Sequence, residues 1–257
     1  MLVLLPPSEG KTPPVSGAPV DLASLSHPEL TDARRRVGEA LIKVSGQRNA
    51  LAALGVGASL ADDVARNTTL WSNATAPAAQ VYTGVLYEAA GMTTWDSATM
   101  RRAAERVRIV SALWGAVSPA DAIPAYRLSM GTSLGRLGTL GTFWRRHLPA
   151  PLESLVEGGL VVDCRSAPYM AAWRPSERPW VAVTVMRELN GTRSVVSHMA
   201  KHTRGLLTAH LVTADAVPTS GRDLADAAAD MIGTDLVDVS LETPAKGPAQ
   251  LALVVRG

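Results

Sequence analysis

The sequence predicts a mixed α/β fold (α+β) in a single compact domain over residues 1–257, with a mixed β-sheet flanked by helices. Two observations support this prediction most directly. Short apolar runs rich in β-branched residues, such as 107–113, have the length and composition of buried strands, and several lead into a loop and a helix start. The Asn190-Gly191 pair lies between two further β-rich runs, which is a strong signal for an antiparallel hairpin.

Composition bounds the class of protein. With 47% apolar and 19% charged residues over 257 positions, the chain can bury a sizeable core and is globular. The 25 Lys and Arg against 23 Asp and Glu give a net charge of +2, so charge alone does not indicate a nucleic-acid binder. The single cysteine, Cys164, excludes an internal disulfide and fits a reducing compartment.

The N-terminus and the remaining apolar stretches indicate the cellular location of the protein. The apolar start at residues 1–5 is too short for a signal peptide, and no segment approaches the roughly 20 apolar residues of a membrane span. We therefore expect a cytoplasmic monomer that does not bind a membrane. No cofactor or metal-ligand set is apparent, so we expect none.

A Pro-rich loop, residues 6–14, follows a short predicted strand at residues 1–5. It contains Gly-Lys-Thr, as a phosphate-binding P-loop does, but the first glycine of that motif is missing and the prolines prevent the helix that should follow. Two interpretations stay open. The loop is either a surface turn or a rigid segment that holds Ser8, Glu9 and Lys11 beside a ligand.

The sequence predicts a helical hairpin subregion at about residues 28–70. Residues 28–45 have the apolar spacing of a helix, and we interpret the basic triplet 34–36 as its solvated face. Residues 51–65 resemble a helix–hairpin–helix motif, in which Gly55 and Gly57 lie at the turn.

The helix–hairpin–helix resemblance implies DNA binding. In such motifs the amides of the turn, here at Gly55 and Gly57, suit a DNA phosphate. The next turn carries Asp62 and Asp63, which would repel a phosphodiester.

The stretch 107–131 contains a strand–loop–helix pattern. The predicted strand breaks at Trp114-Gly115, and Ser118-Pro119 predicts a helix start because Ser favours the N-cap and Pro the first helical position. Arg127 follows this pattern. In α/β proteins, polar groups in such places face the carboxyl ends of strands.

The remaining elements follow the same logic. Helices are predicted over 97–106, from Phe143, from about 198 to 213 and near 222–232, and strands over 160–164, 180–186, 193–197, near 236–239 and near 251–255. Residues 81–87 are either a short strand or a turn into a helix, and Tyr82 there is either a core ring or a site-facing phenol.

The chain resembles the YaaA family, bacterial proteins of peroxide-stress resistance. The resemblance rests on motifs in order along nearly the whole chain: residues 1–12, 81–84, 111–115 with Pro119, Asp121 and 126–131, Phe143-Trp144, Ser166 with Tyr169, and Ala200-Lys201 with Arg204-Gly205. It implies a compact α/β fold with a helix–hairpin–helix element, a basic cleft, DNA binding, and a role in limiting damage from iron and peroxide.

The motif residues also share a chemistry. Four are cationic: Lys11, Arg127, Lys201 and Arg204. Four carry hydroxyls: Ser8, Tyr82, Ser166 and Tyr169. Brought together, they would bind a phosphate, a carboxylate or a nucleotide through charge-assisted hydrogen bonds, with Trp114 or Tyr169 stacking on a base.

Three hypotheses follow for the function. The leading one is a cytoplasmic stress protein that binds DNA through a basic cleft formed by Arg127, Lys201 and Arg204, together with the glycine hairpin. The alternative, favoured by the near-neutral charge, is an enzyme for a nucleotide, nucleobase or other anion, with Lys11 or Glu9 as base or nucleophile and Ser8 and Tyr82 beside them. The third is a structural ion-pair network.

Overall fold

The structure is a computed structural model that describes residues 1–176, 179–196 and 198–257, and only the backbone of His198. It confirms the predicted mixed α/β fold. The strands of the described residues are β1 (Leu2–Leu5), β2 (Ala76–Pro77), β3 (Val107–Ser111), β4 (Gly115–Val117), β5 (Ala122–Ile123), β6 (Val161–Asp163), β7 (Trp180–Leu189), β8 (Thr192–Val195), β9 (Asp238–Glu242) and β10 (Ala249–Arg256). The end of the predicted strand 193–197, at Ser197, lies outside the described residues.

The helices surround this sheet and include several short ones. They are α1 (Thr31–Ser45), α2 (Ala50–Leu54), α3 (Ala61–Arg66), α4 (Ala78–Val81), α5 (Val85–Ala89), α6 (Ser97–Arg106), α7 (Leu140–Trp144), α8 (Pro149–Val156), α9 (Ala167–Met170), α10 (His198–Thr213) and α11 (Gly221–Ala229). Residues 81–87 thus form a turn into a helix. In the described part of the chain, no helix has the length and apolar character needed to cross a membrane.

Eight strands form one mixed sheet. Its order is β4-β3-β1-β6-β7-β10-β9, and β8 pairs with the far end of β7. The strands β3, β1, β6, β7 and β10 run parallel to one another, whereas β4, β8 and β9 are antiparallel to their neighbours. The predicted hairpin is confirmed, with φ of 51° at Asn190 and 75° at Gly191, as a tight β-hairpin turn requires.

Strand β1 lies between β3 and β6, and all four of its residues are buried. A strand buried on both faces needs a continuous apolar run, which Leu-Val-Leu-Leu provides. The register pairs Leu5 with Ile109 and Leu4 with Asp163. The segments that follow β1, β3 and β6 therefore leave the sheet at one edge, where the candidate site lies.

The predicted helix start at Ser118-Pro119 is wrong. Residues 118–121 form a turn, in which Asp121 N donates to Ser118 O (3.1 Å) and Ser118 N donates to the Asp121 carboxylate (3.0 Å). The same carboxylate accepts hydrogen bonds from N and Oγ of Ser26. Pro119 occupies the second position of this turn, which Pro also favours.

The prediction of a solvated basic face is wrong for Arg34. Its side chain is completely buried and donates to the carbonyl oxygens of Trp114 (3.0 Å), His27 (3.1 Å) and Ala116 (2.9 Å). A guanidinium has five N–H donors, so it can satisfy several buried carbonyls at once. Arg34 thereby attaches α1 to β4, while its neighbours 35 and 36 are exposed as predicted.

Helix α10 packs closely on α5 because Gly205 has no side chain. A Cβ atom at this position would lie 2.2 Å from the Leu86 carbonyl oxygen and 2.8 Å from Ala89 Cβ. The close contact brings the start of α10 next to the edge of the sheet where the loop after β1 lies.

We predict that Gly205→Ala lowers the free energy of unfolding by about 1–3 kcal/mol, because the added methyl must displace backbone of α5. Urea denaturation measures the effect. Gly46→Ala is the matched control, since its Cβ would meet nothing nearer than 3.7 Å and its φ is −82°. Equal stability of the two variants would contradict the proposed packing role of Gly205.

Candidate functional site

A cavity of about 400 Å³ lies at the edge of the sheet where β1 and β6 end. The loop after β1, the start of α5, residues 127–129, the start of α9 and the start of α10 line it. Eight of the side chains named from the sequence are among its lining residues: Ser8, Glu9, Lys11, Arg127, Ser166, Tyr169, Lys201 and Arg204. The four cations thus come together at one cavity from widely separated parts of the chain.

The loop after β1 is anchored to the segment before and within α5. Thr83 N donates to Ser8 Oγ (3.0 Å), Tyr87 Oη donates to Pro6 O (2.8 Å), and Thr12 N donates to Val81 O (2.9 Å). Of the two interpretations of this loop, a surface turn and a rigid segment, the observed hydrogen bonds match the rigid segment, and the loop lies at the wall of a cavity. Its role in ligand binding stays a prediction.

Lys11 is half-buried at the cavity wall. Its Nζ donates to the carbonyl oxygens of Ser8 (2.8 Å) and Glu9 (3.3 Å), and lies 4.4 Å from the centre of the Tyr126 ring. Among the described residues, no ion pair includes this ammonium. Its nearest polar partners are therefore neutral carbonyls.

Burial and a neighbouring cation lower the pKa of Lys11 to about 7. Burial is the larger cause, because it penalises the charged form, and the positive charge of Arg127 acts in the same direction. The carboxylates of Asp63 and Glu9 raise the pKa and offset part of the effect. The uncharged, nucleophilic amine is therefore a major form of Lys11 near neutral pH.

Arg127 is held in place by a side chain 60 residues away. The completely buried Asn67 accepts from Arg127 N (2.9 Å) and donates to Arg127 O (3.0 Å), as a paired strand would. The Arg127 guanidinium donates to Glu9 O (3.2 Å) and lies 3.8 Å from the Glu9 carboxylate. No local sequence pattern indicates this role of Asn67, because its partner is distant in the chain.

Lys201 and Arg204 lie on the first turns of α10. Nε and Nη2 of Arg204 donate to Val183 O (3.2 and 2.6 Å), which fixes its guanidinium and leaves the Nη1 donors for other partners. Lys201 is exposed. Opposite them, Ser166 is exposed and Tyr169 is half-buried, and burial raises the pKa of the Tyr169 hydroxyl.

Tyr82 and Trp114 do not line the cavity. Both are completely buried, so Tyr82 is the core ring of the two alternatives, and Trp114 has no free face on which a base can stack. Tyr82 Oη lies 2.9 Å from Tyr126 Oη, which is 2.6 Å from Ser111 Oγ, and burial raises the pKa of both phenols. This hydroxyl chain, which the sequence did not reveal, fixes the Tyr126 ring beneath Lys11.

Gly55 and Gly57 lie between the short helices α2 and α3 and are not among the lining residues of the cavity. Gly55 ends α2 in the left-handed conformation (φ 67°), and both glycines are exposed. Whether this segment acts as a DNA-binding helix–hairpin–helix stays a prediction. Within the described residues, no group of three or more His, Cys, Asp or Glu side chains is placed to hold a metal ion.

The fold and the site define an α/β protein with a cationic cavity at the carboxyl ends of parallel strands. Residues 1–230 match the model of a family described as "Peroxide stress protein YaaA". The chain is 42% identical to a UPF0246 protein of Streptomyces coelicolor over 250 residues, which is 96% of this chain and 95% of that protein. It is also 42% identical to one of Corynebacterium efficiens (89% and 91% covered) and 34% identical to one of Cereibacter sphaeroides (80% and 84%). The chain belongs to the YaaA family of peroxide stress proteins.

We predict that the amine of Lys11 reacts with acetic anhydride with a pH midpoint of about 7, because only the neutral amine attacks the reagent. The pKa of an unperturbed lysine side chain is about 10.4. Competitive labelling between pH 6 and 10, followed by peptide mass spectrometry, measures the midpoint, with the exposed Lys43 and Lys246 as references in the same sample. A midpoint above pH 9 for Lys11 would be incompatible with this electrostatic description.

Proposed function

We propose that this member of the peroxide stress family binds nucleic acid, and that a DNA phosphate occupies the cationic cavity. The observation that carries the proposal is the presence of Lys11, Arg127, Lys201 and Arg204 around one cavity. Among the described residues that line it, Glu9 is the single acidic one. Phosphate oxygens accept charge-assisted hydrogen bonds from such donors, and arginine matches their geometry particularly well.

The size of the cavity and the surrounding groups suit one nucleotide unit. About 400 Å³ is within the range of small-ligand pockets and is too small for a duplex. A strand end or an unstacked nucleotide is therefore the part of DNA that would enter. Tyr169, half-buried in the lining, supplies an aromatic ring for a base.

The acidic turn beside the glycine hairpin is less repulsive than its sequence indicates. Asp63 forms an ion pair with Arg66 at 2.6 Å, so that one of the two carboxylates is paired locally. This favours DNA contact by Gly55 and Gly57 in addition to the cavity. The family description, peroxide stress, is compatible with a DNA ligand because peroxide chemistry damages DNA.

A second candidate function is an enzyme that acts on a nucleotide, nucleobase or other small anion. The environment of Lys11 favours it, because a lysine that is partly neutral near pH 7 can serve as a base or nucleophile. Glu9, whose carboxylate lies 3.8 Å from Arg127, is the acid–base partner in that case.

We predict that Arg127→Ala weakens binding of a fluorescein-labelled single-stranded oligonucleotide about tenfold and reduces the salt slope of log K by about one, because one phosphate contact is lost. Fluorescence anisotropy between 50 and 200 mM NaCl measures both quantities.

Arg222→Ala is the matched control for this experiment. Arg222 is exposed on α11, pairs with Asp226 at 3.8 Å and is not a lining residue, so the same charge is removed elsewhere. We expect its affinity within twofold of the wild type. Equal losses for the two variants, or no binding of wild-type protein at 50 mM NaCl, would overturn the proposal.

A further inference from the structure

We infer that the ligand of the cavity is a phosphate-bearing aldehyde or ketone, and that Lys11 Nζ forms an imine with its carbonyl carbon. The inference rests on the proposed anion-binding function of the cavity and specifies the chemistry of its ligand. Two features carry it: a fixed primary amine in the cavity wall, and a set of cations around that amine.

The main chain and the amine of Lys11 are both fixed. A backbone bridge joins Lys11 to Tyr82, and Thr12 N donates to Val81 O on the same pair of segments. Nζ is held by the carbonyl oxygens of Ser8 and Glu9 at 2.8 and 3.3 Å. A neutral amine has two N–H donors and one lone pair, so two carbonyl acceptors can use both donors and leave the lone pair for a carbonyl carbon.

The charge state of this amine fits a nucleophile. Burial and Arg127 lower the pKa of Lys11 to about 7, and in the described residues no carboxylate forms an ion pair with it. Imine formation needs the neutral amine to attack and an acid to remove water. The neutral and the protonated form of Lys11 are both populated near neutral pH.

The remaining cations indicate the other half of the ligand. Arg127 and Arg204 line the same cavity with tethered guanidinium groups, and Lys201 adds a third positive charge. A dianionic phosphate is the group that such a set binds best. A compound that places phosphate against these cations and a carbonyl carbon against Nζ uses both features together.

The reaction is balanced without an oxidant or reductant. The Nζ lone pair attacks the carbonyl carbon, and the C=O electron pair moves to oxygen. A proton passes from nitrogen to that oxygen through water or the Glu9 carboxylate. A second proton, delivered to the hydroxyl by the same water or carboxylate, lets it leave as water while nitrogen forms the C=N bond. The nitrogen then gives its remaining proton back to that group, so one amine and one carbonyl give one imine and one water.

The chain has four lysines, which makes the test selective: Lys11, Lys43, Lys201 and Lys246. Wild-type protein is incubated with ribose 5-phosphate or ribose and sodium cyanoborohydride, which reduces an imine to a stable amine, and each lysine is quantified by peptide mass spectrometry. The ratio of labelling at Lys11 to labelling at the exposed Lys43 cancels differences in the amount of open-chain aldehyde. We expect this ratio to be at least tenfold higher with ribose 5-phosphate than with ribose.

A third arm distinguishes the two sources of the ligand. An oligonucleotide with one abasic site offers an aldehyde flanked by DNA phosphates, whereas ribose 5-phosphate represents free sugar phosphates. A Lys11 adduct with the oligonucleotide at lower concentration than with ribose 5-phosphate indicates damaged DNA, and the reverse order indicates a metabolite.

Two variants keep the outcome interpretable. Lys11→Arg retains the positive charge without the nucleophile, so it should still bind ribose 5-phosphate in a thermal-shift assay but give no adduct at residue 11. Arg127→Ala should lower the Lys11 to Lys43 ratio about tenfold.

If ribose 5-phosphate shifts the melting temperature but Lys11 is labelled no faster than Lys43, the imine is excluded and anion binding stands. If neither a thermal shift nor an adduct is found with any probe, both proposals fail.

Discussion

The parallel pairing of β1 with β3 and β6 determines where the site can form. Parallel neighbours end at the same edge of a sheet, so the segments that follow them start close together. Because β1 has four residues and is buried on both faces, its following loop begins at the core, and Lys11 lies only six residues after Leu5. The sheet thereby places a lysine between Tyr82 and Tyr126, where its charge is poorly solvated.

Neutral groups compensate only part of the lost solvation of the Lys11 ammonium. Two backbone carbonyls and the face of the Tyr126 ring stabilise the ammonium, while Arg127 destabilises it. Tyr126 in turn is fixed by the hydroxyls of Tyr82 and Ser111. The position of the Lys11 amine therefore depends on two buried rings, Tyr82 and Tyr126, that are not among the lining residues of the cavity.

The strands and the eight cavity residues could be predicted from the sequence. The residues that hold them in place through hydrogen bonds could not. Continuous apolar runs identify buried strands, and cations after such strands indicate the carboxyl edge of the sheet. The hydrogen bonds that hold the buried Arg34 at Trp114, Asn67 at Arg127 and Ser26 at Asp121 join residues 60 to 95 positions apart. Local sequence patterns do not predict contacts between residues so far apart in the chain. Of the two aromatic residues predicted to stack on a base, Trp114 or Tyr169, the ring of Trp114 is in the core.

In the proposed function, one anion contacts four cationic side chains in one cavity. Lysines with ¹³C-labelled side chains allow a direct measurement, because Lys11 and Lys201 line the cavity and Lys43 and Lys246 do not. We predict that titration with inorganic phosphate at constant ionic strength shifts the NMR signals of Lys11 and Lys201 with a common dissociation constant and leaves the other two in place. Equal, non-saturating shifts of all four lysines would contradict anion binding in this cavity.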